Sequence, residues 1–205
     1  DLASGSDAAK IAALYHGFLD EAAIEKLGAK PLQPYLAQIR AAKDHAAMAR
    51  LMGSQDGPYS SFFGLGVSDD QKDPDNYALY MSQSGLGLGD REMYLRENFT
   101  EQRQRYQAYI AQLLTLAGWG KPADNAKAIL ALETKVAEAH WTRAESRNRD
   151  KTYNPKALVD FAKDAPGFDW AGFFKAAGVD HAQRAVVRQD SAIPKLAKIY
   201  ADADI

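Results

Sequence analysis

The residues of this 205-residue chain from which chemistry could be built are four histidines and a scatter of carboxylates; there is no cysteine. The histidines stand at His16, His45, His140 and His181. None belongs to a His-Glu-x-x-His run, and no two are three or four residues apart, so a zinc site made by one helix is absent. Without cysteine, disulfides, thiolate metal sites and cysteine nucleophiles are excluded. Glu133 and His140 form the best local pair. Seven residues apart on a helix, they lie two turns and ~10.5 Å from each other along the axis, too far to hold one ion together. They read as buried or half-buried structural groups, each satisfied by a neighbouring helix.

The loop Ser84-Gly85-Leu86-Gly87-Leu88-Gly89-Asp90 follows a strand-like run and precedes a helical turn, as a phosphate cradle would. It is GxGxG and not GxGxxG, and no Lys-Ser/Thr follows it. Asp90 and Glu92 stand where an anion would sit, so a tight backbone turn is the better reading. Asp69, Asp70, Asp73 and Asp75 have the look of a calcium loop, but the glycine and the bidentate glutamate that such a loop needs are missing; they read as a solvated hairpin turn. Arg103, Arg105, Arg143, Arg147 and Arg149 alternate with acids and read as helix-surface pairs, not as a nucleic-acid patch. No GxSxG elbow is present. The residues alone show no catalytic constellation.

The elements that must position these groups are mostly helices. The longest Gly- and Pro-free pattern runs from Ala126 to Asn154, with Ile129, Leu132, Val136 and Ala139 on one stripe and Glu133 and His140 on its apolar arc. It reads as one central strut. Upstream, helices are expected from Ser6 or Asp7 to Lys26 with Gly28 as the stop, from Pro31 onward, and after Asp44. Phe62–Val67 and Tyr77–Met81 predict a β-hairpin over about 61–82, joined by a polar linker. Another helix opens at Asn98 or Thr100. Asn154-Pro155 has the cap-plus-proline form of a helix start, predicting a helix over Lys156–Lys163. Asp169 caps a turn carrying Trp170, Phe173 and Phe174. Ala185-Val186-Val187 is a short strand candidate, and Ser191–Ala203 a last helix. The sum is roughly two-thirds helix, well above the usual share, so the class is mainly α: a multi-helix lobe with one short hairpin, a single domain over 1–205.

Composition sets the outer bounds. Hydrophobic residues make up 46% and charged residues 25%, ordinary for a globular chain. A formal net charge of −2 gives no general attraction to nucleic acid or anionic membranes. No apolar run approaches the roughly 20 residues that span a bilayer. No signal sequence is visible at Asp1. The chain opens almost within a helix and ends at Asp204-Ile205 without a clear terminus, which suggests a fragment.

Four segments in order carry a family resemblance: Ala22–Ile39, Gln83–Leu95, Ile129–Asn154 and Gly167–Phe174, which includes Trp170. Together they resemble the N-terminal region of the neprilysin and endothelin-converting-enzyme family of zinc metalloendopeptidases, and are most similar to its bacterial members. The family's Arg-Asp…Tyr-Asn pattern falls on Arg149, Asp150, Tyr153 and Asn154. Its glycine loop falls on Gly85 through Tyr94, including Gly87 and Asp90, with Gly89 where the family commonly has proline. These, with Glu133 and Trp170, are expected to be structural. No family zinc ligand or catalytic acid maps onto the chain, and its substrate-binding residues stay unknown.

The resemblance implies a two-lobed gluzincin-type peptidase that hydrolyses peptides and small proteins. Its helical lobe encloses a substrate cavity, and a thermolysin-like lobe carries HExxH and a downstream glutamate on zinc. The catalytic zinc domain and the family's Asn-Ala substrate motif are then expected beyond Ile205. The chain alone is expected to bind no zinc and to be inactive, its partners being the missing domain and peptide substrates. Absence of the animal members' disulfides favours a bacterial envelope or periplasmic protein. The alternative is a free-standing helical module that binds a peptide or a protein.

Overall fold

The computed structural model describes residues 3–204; the expectations attached to Asp1 and Ile205 fall outside them. The chain is mostly helical, as expected, but the strand content is larger than one short hairpin. Helices α1 (Asp7–Leu19), α2 (Glu21–Leu27), α3 (Gln33–Ala41) and α4 (His45–Gly53) come first. The single helix expected up to Lys26 is broken at Asp20, whose carboxylate accepts from the Ala23 amide at 3.0 Å and caps α2. Neither α1 nor α2 buries a residue; Leu14 and Phe18 are 77% and 78% exposed.

Strands β1 (Phe63–Asp70) and β2 (Asp73–Gln83) form an antiparallel hairpin that consumes most of the polar stretch expected to be linker, leaving Gln71-Lys72 as the turn. Tyr80 explains how polar residues stay in register. Its hydroxyl donates to the Asp69 carbonyl at 2.9 Å and accepts from the Gln71 amide at 3.1 Å, across a bulge at Asp69/Asp70. Helices α5 (Arg91–Leu95), α6 (Thr100–Leu116) and α7 (Pro122–Ala139) follow.

The central strut therefore ends at Ala139 and not at Asn154. His140 is already extended, and Thr142 starts a new short helix, α8 (Arg143–Ser146), through a reciprocal capping box with Glu145. Beyond it, Asn148 accepts from the Asp150 and Lys151 amides, and Thr152 donates back to the Asn148 carbonyl. Local side-chain bonds of this kind end a helix with no glycine or proline present.

Asn154-Pro155 begins strand β3 (Asn154–Ala157), not a helix. The Asn154 amide, instead of capping, donates to the Lys151 carbonyl at 2.7 Å and to the Val187 carbonyl at 3.0 Å. Proline is tolerated because β3 is an edge strand. Helix α9 (Phe161–Asp164), helix α10 (Trp170–Ala176), strand β4 (Arg184–Val187) and helix α11 (Ile193–Ala201) complete the order. The four strands lie β1-β2-β4-β3, with β2 and β4 parallel and the other pairs antiparallel.

One sheet face, through Phe63, Leu79, Met81, Ala185 and Val187, meets α10 and α11 in the main core. Trp170 is its centre, with ring centroids 4.6 Å from Phe63, 4.7 Å from Phe168 and 5.0 Å from Phe161. Its indole N–H donates to the Ala165 carbonyl at 2.7 Å, so burial leaves no orphan donor. No helix among the described residues is long and apolar enough to cross a membrane.

Candidate functional site

The stretch after β2 is held as a shaped loop from both ends. Gly85 sits at φ +94°, a conformation open to glycine at little cost. Gly87 has a steric reason: a Cβ there would lie 1.8 Å from the Tyr106 hydroxyl. Asp90 closes the loop by capping α5, accepting from the Glu92 amide at 2.9 Å, and pairs with Arg143. The loop's entrance is fixed by Gln83, whose amide side chain bonds both the N–H and the C=O of Trp141, at 2.7 and 3.1 Å.

Glu133 is the meeting point. From α7 its Oε2 accepts from the Tyr94 hydroxyl at 2.6 Å and its Oε1 from the Tyr106 hydroxyl at 3.0 Å. Tyr94 in turn accepts from the Leu88 amide at 2.9 Å, so the carboxylate reaches the loop through a tyrosine. Burial, followed by the bond to Glu133, pushes the Tyr94 hydroxyl far above its ordinary value. Burial and the charge of Glu133 push Tyr106 up to about 12. Both phenols are therefore neutral donors at physiological pH.

His140 holds the same loop elsewhere. Its Nε2 lies 3.0 Å from the Ser84 carbonyl, which can only accept, so Nε2 carries the proton. Burial lowers the His140 pKa; the Ser84 bond opposes that shift, and Arg91 adds to it. Glu133 and His140 thus grip two points of one loop and do not face each other across a metal. Arg91 reinforces the same junction, its Nε donating to the Ala137 carbonyl at 3.2 Å near the end of α7.

Of the residues marked by sequence, Gly85, Gly87, Asp90, Tyr94 and Glu133 come together here. Tyr153 and Asn154 belong to a second knot on the sheet. There Asp70, 1% exposed, accepts from the Tyr153 hydroxyl at 2.6 Å, from Arg184 at 3.0 Å and from the Lys72 amide at 3.0 Å. The solvated-turn reading of Asp70 is corrected by this burial. The Tyr153 bond, then that of Lys72, holds the Asp70 carboxyl below its usual range despite burial. Arg149 and Asp150 are exposed and join neither group, and Trp170 is core. Sequence reasoning missed Gln83, Arg91 and Arg184. The Thr142-x-x-Glu145 spacing is the readable sign that α7 stops before Thr142.

Beside Glu133 lies a cavity of about 660 Å³, walled by the C-terminus of α4, the start of β1, the glycine loop, α6 and α7. Among the described residues no three histidine, aspartate or glutamate side chains are placed to hold a metal ion. His140 and His45 each place Nε2 3.0 Å from a backbone carbonyl, of Ser84 and Ala203, and among the described residues neither is grouped with two further ligating side chains.

The family profile described as Peptidase family M13 matches residues 1–205. The chain belongs to peptidase family M13. The rat endothelin-converting enzyme 1 is 29% identical over 186 residues, covering 85% of this chain and 24% of its own length. Human endothelin-converting enzyme-like 1 is 26% identical over 183 residues, with 81% and 24% covered. Among solved structures, the Mycobacterium tuberculosis zinc metalloprotease Zmp1 in its open state superposes with a TM-score of 0.85 at 34% identity, covering 100% of this chain and 32% of that one. PepO from Lactobacillus rhamnosis shares the fold at a TM-score of 0.67 and 16% identity, with 85% and 28% covered. This M13 chain thus spans about a quarter of the curated relatives and a third of the solved ones.

Proposed function

We propose that the protein carrying this M13 chain is a zinc-dependent metalloendopeptidase acting on peptides and small proteins, and that residues 1–205 form part of the helical lobe enclosing its substrate cavity. The observation that carries the reading is the agreement with the Mycobacterium tuberculosis zinc metalloprotease Zmp1 over the whole chain at 34% identity. The described residues offer no zinc-fitting donor set, so the zinc ligands are assigned to a catalytic domain outside these 205 residues. Gly85, Gly87, Asp90, Tyr94, Glu133, Tyr153, Asn154 and Trp170 then serve as structural residues, positioning the loop, the sheet and the core. Their bonds to one another and to backbone support that role. A bacterial envelope or periplasmic location is part of the same proposal, supported by the bacterial source of that neighbour.

The test is hydrolysis of a fluorogenic peptide by the intact protein before and after metal removal. Activity lost to a chelator and restored by zinc, with none in the 205-residue chain, is expected. An intact protein that hydrolyses equally well without metal, or not at all, overturns the proposal. The alternative, a free-standing peptide-binding module, is favoured by the open cavity beside the outer edge of β1. It gains if the isolated chain binds peptides saturably while the intact protein lacks hydrolysis.

A further inference from the structure

The cavity beside Glu133 is lined by serines, glycines, Gln55, Met52 and aromatic and aliphatic side chains, and among the described residues Glu133 is the only one lining it with a formal charge. Among the described residues no lysine, arginine or histidine nitrogen comes within ion-pair distance of it. Its two hydrogen bonds come from Tyr94 and Tyr106, which bring no positive charge. A carboxylate offers about four acceptor positions, so roughly half of them stay open. A single negative group in a half-enclosed wall has its field focused by the low-dielectric surroundings.

A Cβ on Gly87 would stand 1.8 Å from the Tyr106 hydroxyl and 3.3 Å from the Glu133 Oε1, so glycine there lets Tyr106 reach that oxygen and leaves the remaining acceptor positions to the cavity. Phe62 and Tyr106 supply aromatic surface in the same wall, suited to a flat cation. Along one side run Phe63, Gly64 and Leu65 of β1. β1 is the outer strand of the sheet, so one row of its backbone donors and acceptors faces away from β2 and can meet an extended chain.

We propose that this cavity is a binding site for an extended peptide that presents an arginine side chain to Glu133, its backbone running beside the outer edge of β1. The guanidinium reaches the open acceptor positions of the carboxylate with a planar fork and lies against the aromatic wall, which an ammonium does less well. This assignment does not depend on the peptidase reading, because its readout is binding and not hydrolysis.

The test uses the intact protein, with acetyl-Ala-Arg-Ala-amide and its citrulline counterpart titrated by calorimetry. Citrulline keeps the shape of arginine without the charge. The wild-type protein is expected to bind the arginine peptide roughly tenfold or more tightly than the citrulline one, the scale of a hydrogen-bonded charge pair. Glu133→Gln, which keeps a side-chain oxygen for a tyrosine donor, is expected to remove that preference. Should that variant fail to fold, Ile129→Lys gives a second reading. Residue 129 lines the cavity one helical turn before Glu133, so its ammonium neutralises the carboxylate from within and is expected to erase the preference too. Equal affinity for the two peptides, no binding of either, or an arginine preference that survives neutralisation of Glu133 each overturns the proposal. The second of these results means that the cavity is filled by other parts of the polypeptide.

Discussion

Removing the Glu133 side chain deprives two tyrosine hydroxyls of their acceptor, 39 and 27 residues away in sequence. Glu133→Ala is expected to cost about 1–3 kcal/mol, the usual penalty for stranding half-buried polar groups. Urea denaturation of the intact protein measures it; a loss under about 0.5 kcal/mol would mean that solvent replaces the carboxylate freely. The sequence already marked Glu133 as a polar residue on an apolar helix arc. Its partners were not legible there, because nothing in local spacing says that α5 and α6 bring their tyrosines to one carboxylate. Asp70 makes the opposite point. Its run of aspartates reads as solvent-facing, yet Tyr153 and Arg184, 83 and 114 residues on, make burial affordable only in the folded sheet.

At the scale of elements, the decisive position is the end of α7. Thr142→Ala removes both halves of the capping box and is expected to cost about 0.5–2 kcal/mol in thermal or chemical denaturation. A variant at least as stable as wild type would show that the box does not set this boundary. The first helix behaves differently. Its apolar residues, Leu14 and Phe18 among them, cover nothing within the described residues. Phe18→Glu is therefore expected to change stability of the isolated chain by less than about 0.5 kcal/mol while lowering its self-association in light scattering. A large loss of stability would place Phe18 inside a packed contact.

For the molecule as a whole, several groups with lowered pKa couple folding to acidity, His140 and Asp70 among them. Burial lowers the His140 pKa below its ordinary 6.5, so the folded state prefers the neutral ring. That contribution is complete above about pH 6.5 and drains away as pH falls through the lowered value. Asp70, held below its ordinary 3.8 first by the Tyr153 bond, contributes above that value and is lost at still lower pH. Melting temperature measured from pH 7.5 downward is expected to fall first in the histidine window and again in the carboxylate window. His140→Gln, which can still donate to Ser84, flattens the first fall; an unchanged profile would remove His140 from the account.

Local physics was readable from the chain. Helix stripes, the caps at Ser6, Asp44 and Asp169, the glycine stop at Gly28 and the hairpin all follow from residue type and near-neighbour spacing, and four ordered segments were enough to indicate the family. Two local signals, at Asp20 and at Thr142-x-x-Glu145, were present but outweighed by longer helical periodicity. Only the tertiary structure decided that Asn154-Pro155 is a strand beside β4, that Asp70 is buried, and that Glu133 and His140 fasten one glycine loop. Each of those outcomes depends on a hydrogen-bond partner dozens of residues away, and a side chain's preference for cap, turn or strand yields to such a partner once folding supplies it.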